Sequence, residues 1–316
     1  MDEFKHIHFE NPKKFLEFFE PENSIWFNDT SRWIFRGQAQ SNWGLNTTLA
    51  RDIINDKYTD NTLSQFYWSE MAILNGFIFR CREIGLELPI SQKGHPDSSF
   101  LDFDERLHTL ALGQHYGLPT RMLDWTRNRW NALFFALDTL NNLEYSRTSN
   151  LSVWCLNTQY TELGLPLSIE GVNYTLNEFH PSFHKNINAV SQVAMFTYLE
   201  TKYDKNNDKL AACSKFKTTN INHFDLDYIL KNGEINLNHK KEAYTIGYKL
   251  TVSRKHYNFL KSWLSNRLIK HYNLFPDYKG VVSSTTHYWK ESLRQDGLSA
   301  YKNNKRKKFT TTQTKK

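Results

Sequence analysis

Cysteine is scarce in this chain of 316 residues, which has only Cys81, Cys155 and Cys213. The three are far apart, odd in number and form no Cys-x-x-Cys pair. This arrangement argues against a disulfide framework and against a structural zinc site, and it favours a reducing cytoplasm.

Long hydrophobic runs are also missing, since no stretch approaches the ~20 apolar residues that span a bilayer. The segment Met1–Glu10 mixes acidic residues, His and Phe, so it is not expected to be a signal peptide. The sequence therefore predicts a soluble, cytoplasmic protein with no membrane partner.

Several common catalytic motifs are absent. There is no phosphate-binding Walker loop, no Gly-x-Gly-x-x-Gly, no His-Glu-x-x-His and no Gly-x-Ser-x-Gly. The acidic residues Asp102, Asp104 and Glu105 are close together, but they are better explained as the acidic first turn of a helix. The sequence predicts no metal site.

What the chain does contain is apolar and aromatic material, at 39% hydrophobic and 15% aromatic residues. That is enough for a packed core and excludes global disorder. The formal net charge of +7 is concentrated at one end, because seven Lys and Arg lie between Lys302 and Lys316 and the remaining 33 basic residues balance 33 acidic ones.

The basic segment 301–316 is predicted to be a disordered tail. It could hold RNA or DNA phosphates non-specifically, or dock on an acidic partner. The alternative is a solvated tail without a role.

The apolar periodicity predicts a mixed chain of helices and strands. Helices are expected near residues 12–19, 62–80, 104–116, 131–137 and 253–272. Strands are expected near residues 32–37, 120–126, 151–156, 191–197 and 243–250. Gly85–Ser99 reads as a loop or lid.

Four places could carry chemistry. Arg36 ends an apolar strand, where an arginine is costly to bury without an anionic partner. Gly37 would let a ligand approach the backbone. The pair suits a phosphate or a ribose, although a structural arginine paired with a buried carboxylate would fit equally.

The other three places carry weaker signals. Asp124-Trp125-Thr126 precedes an apolar helix, so Thr126 could cap that helix or present a hydroxyl to a ligand. His115 could be structural, or it could act as an acid or base near neutral pH. Gln192 opens an apolar strand.

These segments together resemble a known family. Phe35-Arg36-Gly37-Gln38 and the later segment Gln114–Arg121 resemble the FRG domain in order and spacing, and the likeness extends over roughly residues 25–285. Together with the local patterns, this divides the chain into an N-terminal helix over 1–24, an FRG domain over 25–300 with a candidate insertion at 201–240, and the tail at 301–316.

A further resemblance concerns ADP-ribosyltransferases of the Arg-Ser-Glu type, which carry an aromatic-Arg-Gly strand, a Ser/Thr strand and a Glu or Gln strand. It implies an α+β single domain with a central, mainly antiparallel, split sheet flanked by helices, and NAD as substrate. The implied catalytic residues are Arg36, Thr126, Gln192 and His115. The implied NAD-binding residues are Phe35, Gly37, Gln38, Tyr116, Asp124 and Trp125.

In this resemblance each residue has an expected role. Arg36 holds the nicotinamide ribose or the diphosphate, and Thr126 positions that ribose. Tyr116 or Trp125 stacks on the nicotinamide, and Gln192 orients the ribose or the acceptor.

The family's context implies a toxin or phage-defence effector held by an antitoxin protein, with RNA favoured over DNA as the acceptor. Two other functions stay open. A metal-dependent nuclease would need an acid cluster, and a non-catalytic nucleic-acid-binding module would need the tail.

Overall fold

A computed structural model describes residues 4–26, 32–57, 60–90, 101–137, 149–161, 164–180, 191–201, 217, 219–235, 245–286 and 289. The predicted tail at 301–316, about half of the predicted insertion at 201–240 and the second half of the predicted loop Gly85–Ser99 lie outside the described residues.

The described residues contain strands and helices in mixed order. The strands are β1 Phe4–Phe9, β2 Trp33–Gln38, β3 Leu123–Thr126, β4 Asn150–Asn157, β5 Leu165–Ile169, β6 Val172–Phe179, β7 Ala194–Thr201, β8 Glu234–Ile235 and β9 Gly247–Ser253. The α-helices are α1 Pro12–Phe18, α2 Thr48–Asn55, α3 Leu63–Glu83, α4 Phe103–His115, α5 Arg129–Leu137, α6 Leu226–Asn232, α7 Tyr257–Ser265 and α8 His271–Leu274, and a further helix covers 278–286.

All nine strands form one sheet in the order β1-β9-β4-β2-β3-β7-β6-β5-β8. Every pair is antiparallel except β1 with β9. The expectation of an α+β protein with a mainly antiparallel sheet is therefore confirmed.

The sheet is narrow at one place. Strands β2 and β3 share a single register pair, Phe35 with Thr126, whereas β2 and β4 share a ladder of six. Two halves of the sheet, β1-β9-β4-β2 and β3-β7-β6-β5-β8, thus meet at one point and diverge beyond it, at the position where Arg36 follows Phe35. We call this divergence the fork.

Apolar residues on both faces of the sheet form the core. Ile34, Trp125 and Met195 belong to one cluster, which α2, α3 and α6 help to cover. On the opposite face, Phe35 packs with α1, α5 and α7, and Phe196 packs with α4 and the second half of α3. The strict alternation of strand side chains accounts for this division.

Side-chain caps explain several helix starts. Asn11, Thr47, Thr62 and Asp102 each accept a hydrogen bond from a backbone N–H in the first turn of α1, α2, α3 and α4. Helix α4 ends at His115, and Gly117 follows in a left-handed conformation with φ of +95°, as expected of a glycine after a helix end.

The sequence missed or misjudged some elements. Strand β1 was not predicted: the segment 1–24, expected to be helical, contains this edge strand as well as the predicted helix. The helix predicted over 253–272 is wrong in extent, because α7 ends at Ser265 and Leu268 takes a left-handed φ of 60°. In the described part of the chain, no helix is long and apolar enough to cross a membrane.

Candidate active site at the fork

Arg36 lies at the fork and reaches across it. Its Nη1 donates a hydrogen bond of 2.7 Å to the backbone carbonyl of Asp124, and it lies 3.5 Å from the Asp124 carboxylate. The side chain of Arg36 is 18% exposed and that of Asp124 is 60% exposed. The two residues therefore form an ion pair that solvent can enter.

Asp124 is held from its other side by the end of α4. Gln114 Nε2 donates a 2.7 Å hydrogen bond to Asp124 Oδ1, and Gln114 Oε1 accepts a hydrogen bond from the Thr120 hydroxyl. Because the backbone carbonyl of Thr120 accepts from the N–H of Leu49 at 3.3 Å, this network also joins the first turn of α2 to the fork.

Arg51, in the first turns of α2, is a second cation at this place that the sequence did not single out. Its Nη1 donates to the Asn46 carbonyl at 2.6 Å and its Nη2 donates to Thr48 Oγ1 at 3.2 Å. Burial and the like charge of Arg36 lower the pKa of Arg51, while Asp52 and Asp124 oppose that shift. Arg36 and Arg51 are thus electrostatic neighbours.

His115 and Tyr116 stand at the rim of the site. Their rings are 4.9 Å apart, and Tyr116 is 76% exposed. Desolvation lowers the pKa of His115, opposed by Asp277 and Asp124 and reinforced by Lys279. The lowered pKa favours neutral imidazole at neutral pH, which is the form that can accept a proton.

The fork also contains an unsatisfied donor. Arg36 Nε is buried and has no hydrogen-bond partner among the described residues. A buried polar atom without a partner is costly, so Arg36 is not fully satisfied by the fold around it. Its side chain is 18% exposed, and an anionic or oxygen-rich group could meet the guanidinium from the solvent side.

Thr126 and Gln192 are close together but are engaged with each other. The Thr126 hydroxyl donates to the Gln192 carbonyl at 2.6 Å and accepts from the Asn128 N–H at 3.0 Å. Asn131 Nδ2 also donates to the Gln192 carbonyl, at 3.2 Å. These bonds hold the turn before β7 and the approach to α5. The helix itself is capped by Asn128, whose Oδ1 accepts from the Trp130 N–H at 2.9 Å, so Thr126 does not make the cap that the sequence allowed for it.

Gln192 does not open a strand. Ser191 and Gln192 are in a helical turn, Val193 takes a positive φ of 50°, and β7 begins at Ala194. The side chain of Gln192 donates to the Leu274 carbonyl at 3.2 Å, so it contacts α8. Its predicted role toward ribose stays a prediction and would require this bond to open.

Three predicted NAD-binding residues are interior. Phe35 and Trp125 are buried in the core, and the Trp125 indole N–H donates to Thr197 Oγ1 at 2.8 Å. Gln38 uses both ends of its amide, accepting from Trp154 Nε1 at 2.7 Å and donating to the Gly44 carbonyl at 2.8 Å. A side-chain contact with NAD is untested for all three, and their packing explains their presence.

Helix α5 packs directly against Gly37, in the space that a Cβ would take. A Cβ at this position would lie 1.8 Å from the Ala132 carbonyl oxygen and 2.7 Å from the Ala136 nitrogen. The close backbone approach that the sequence predicted is therefore made by a helix of the protein itself.

The structure thus joins Arg36, Asp124 and Gln114 by direct contacts at the fork. His115 and Arg51 are linked to them through the charge of Asp124, and Tyr116 is linked through its ring contact with His115. Gln114 lies in the motif that the sequence analysis quoted, so its polar side chain beside His115 was a usable signal. The signal at Arg51 was weaker: a basic residue near the start of a helix is unfavourable with the helix dipole, so its presence there was unusual.

Among the residues that the structure describes, no group of three or more His, Cys, Asp or Glu is placed to hold a metal ion. The acidic residues Asp102, Asp104 and Glu105 lie at the start of α4, where Asp102 is the N-cap.

Comparison with known proteins gives one relationship. No curated protein and no solved structure matches the chain. Residues 31–144, a segment that contains Arg36, Arg51, Gln114, His115, Asp124 and Thr126, match the family model of the FRG domain. The similarity to the FRG family that the motifs predicted is thus confirmed over residues 31–144.

Proposed function

We propose that this protein is an NAD-dependent ADP-ribosyltransferase that acts in the cytoplasm as a toxin or phage-defence effector, with a nucleic acid, RNA in preference to DNA, as its acceptor. The observation that carries the proposal is Arg36 at the fork, with a buried Nε that lacks a partner among the described residues. An antitoxin protein is the expected partner.

The position of Arg36 supports a dinucleotide ligand. The guanidinium is fixed at one edge by Asp124, and it stands where β2 and β3 share a single register pair. Phosphate and ribose oxygens are natural acceptors for its remaining donors. Tyr116, exposed beside His115, offers a flat surface for a nicotinamide or a base.

The proposed reaction needs positioning and electrostatics more than covalent catalysis. The bond between the nicotinamide ring and ribose C1′ breaks, nicotinamide leaves with the bonding electrons, and an acceptor nucleophile forms the new bond to C1′. The Asp124 carboxylate, oriented by Gln114, is placed to stabilise the positive charge that develops on the ribose.

The acceptor must lose a proton when it bonds to C1′. His115 is the candidate base, because its lowered pKa keeps the imidazole neutral at neutral pH. The Lys- and Arg-rich residues 302–316 supply cations that attract a nucleic-acid backbone, which supports a nucleic acid as the acceptor.

The test is transfer of label from NAD carrying the label on its ADP-ribose part. The purified protein is incubated with labelled NAD together with RNA, DNA or total cell protein, and the same is done with Arg36→Gln and with the control Arg80→Gln. Arg80 is exposed at the far end of α3, where its Nη1 contacts the Gly76 carbonyl.

We expect label on RNA with the wild type and with Arg80→Gln. With Arg36→Gln the label should be reduced about 100-fold or more, because charge-assisted contacts are lost. Label on DNA or protein would change the acceptor class. Polymers that are shortened only with Mg²⁺ would replace the proposal with the nuclease. Binding without label or cleavage, lost on deletion of residues 301–316, would replace it with the binding module.

A further inference from the structure

The segment from Ser253 to Pro276, which contains α7 and α8, is basic throughout. It has five Lys and Arg residues and no Asp or Glu, whereas residues 1–301 as a whole have 33 basic and 33 acidic residues. Arg254 is buried and donates to the Ala39 carbonyl at 3.2 Å, and the other four cations are exposed or half-buried. A local excess of positive charge at a surface attracts polyanions.

Two of these cations lie beside aromatic rings and have no carboxylate partner. The Arg267 guanidinium is 3.4 Å from the centre of the Trp263 ring, and Lys270 Nζ is 5.9 Å from the centre of the Tyr272 ring. Neither cation forms an ion pair within the part of the chain that the structure describes. Because a stacked guanidinium keeps N–H donors at the edge of its plane, Arg267 is held in place and can still donate to a phosphate.

The aromatic rings are anchored to the fold and partly open to solvent. Trp263 packs on Trp130 of α5 with ring centres 4.4 Å apart, and both tryptophans are only partly buried against the core. Tyr272 is 41% exposed. Exposed rings of this kind stack on unpaired bases, which a duplex keeps inside its helix. We call Trp263, Arg267, Lys270 and Tyr272 the α7–α8 surface.

The α7–α8 surface is joined to the fork by a short chain of hydrogen bonds. The Leu274 carbonyl at the end of α8 accepts from the Gln192 side chain at 3.2 Å, and the Gln192 carbonyl accepts from the Thr126 hydroxyl at 2.6 Å. Thr126 is the β3 residue that pairs with Phe35, next to Arg36. A polymer bound along α7 and α8 would therefore lie beside the strands that form the fork.

We propose that the α7–α8 surface binds single-stranded RNA, with Arg267 and Lys270 on phosphates and Tyr272 stacked on an unpaired base. The choice of RNA rests on the proposed function, which makes RNA the acceptor. The preference for an unpaired strand rests on the aromatic rings, and the attraction of the polymer rests on the cations.

The stacking contact is tested by fluorescence anisotropy with the full chain and a labelled, unstructured RNA of about 12 nucleotides, free or paired in a duplex. Tyr272→Leu should weaken binding of the single strand by about 5- to 100-fold, because one stacked base is lost. Binding of the duplex should change by less than about 2-fold, because its bases do not reach the ring. Tyr272→Phe keeps the ring and is the matched control, which should bind like the wild type.

The phosphate contacts are tested with the double variant Arg267→Gln/Lys270→Gln. It should weaken binding of the single strand by about 10-fold and make the slope of log K against log salt concentration shallower by about 1.4, since each lost phosphate contact removes about 0.7. The control Lys13→Gln/Lys14→Gln removes the same charge from exposed positions of α1, and it should change the affinity by less than about 2-fold. Unfolding midpoints within about 2 °C of wild type separate lost binding from lost folding.

Three results would each overturn the α7–α8 surface: no binding of the RNA by the wild type, a Tyr272→Leu variant that binds the single strand like the wild type, or a double variant that binds like its control. Failure of this proposal differs from failure of the transferase. RNA binding that depends on these side chains, without transfer of label from NAD, leaves the surface and removes the transferase. Transfer to RNA that is unchanged in all these variants does the reverse.

Discussion

Arg36 and Arg121 belong to the two motifs by which this sequence is most easily characterised, yet their surroundings are opposite. Arg121 is buried, and its Nε donates to Glu70 Oε1 at 2.7 Å while Nη2 donates to Glu70 Oε2, which gives a two-point ion pair. Side-chain exposures are 2% for Arg121 and 6% for Glu70. Arg36 faces a mostly exposed carboxylate at 3.5 Å.

Their remaining contacts widen the contrast. The Arg121 guanidinium also lies 5.1 Å from the centre of the Tyr67 ring and within 5.9 Å of the Phe66 ring, and Nη1 reaches the Leu199 carbonyl at 3.4 Å. The Arg36 Nε has no partner in the described part of the chain. Arg121 is therefore tied into the core on several sides, whereas Arg36 is held by one partner residue whose carboxylate is open to solvent.

The largest effect should come from breaking the Arg121 pair. Arg121→Met leaves Glu70 buried without its cation, so the free energy of unfolding should fall by about 3–5 kcal/mol. Urea denaturation measures this. The double variant Arg121→Met/Glu70→Leu removes both charges and should recover much of the loss. If Arg121→Met alone unfolds like wild type, the contrast between the two arginines is lost.

Removing the Thr126 hydroxyl should have the next largest effect. Thr126→Val leaves the Gln192 carbonyl and the Asn128 N–H each without one partner, so it should destabilise by about 1–3 kcal/mol. Thr126→Ser, which keeps the hydroxyl, is the matched control. A valine variant that is fully stable yet fails to transfer ADP-ribose would instead give the hydroxyl the ligand-positioning role that the sequence predicted.

Arg36→Gln should change stability little. Its ion pair is open to solvent, so the free energy of unfolding should stay within about 1 kcal/mol of wild type, while label transfer from NAD is lost. Urea denaturation beside the transfer assay separates the two. A loss comparable to that of Arg121→Met would make Arg36 a structural residue as well.

The smallest effect concerns pH. Because burial lowers the pKa of His115 below its ordinary value of 6.5, the unfolded chain takes up this proton at a higher pH than the folded chain. The contribution to stability is complete above pH 6.5 and is lost as pH falls toward the folded pKa. The urea midpoint should therefore fall more between pH 7.5 and pH 5.5 in the wild type than in His115→Gln. An equal fall in the two proteins would contradict the lowered pKa of His115.

Much of the fold was readable because single elements carry strong local patterns. The apolar runs of β2 and β4 and the capped helices α3, α4 and α5 lie close to where the sequence placed them. The site was read less well, because Phe35, Trp125 and Thr126 sit in motifs beside Arg36 but are used for packing and turns. That residues are adjacent in sequence does not reveal which of their side chains point into the core and which point toward solvent.

Two omissions have different causes. The β5–β6 hairpin was visible in principle, since Leu165, Leu167 and Ile169 recur at every second position and Gly171 follows them. In the structure the two-residue turn Glu170-Gly171 has positive φ at both positions. Strand β1 was not, because its pairing with β9 joins residues about 240 positions apart, Phe4 with Gly247, and local pattern holds no information on such a contact.

The backbone contact at Gly37 bears on how the family tripeptide is interpreted in other sequences. Phe35 fills the core, Gly37 admits the Ala132 carbonyl of α5, and only Arg36 turns toward solvent. Two of the three residues, the aromatic and the glycine, thus serve the packing of the fold. If the proposed function is right, a homologue that retains the aromatic residue and the glycine but replaces the arginine should keep this packing and lose the ligand contact.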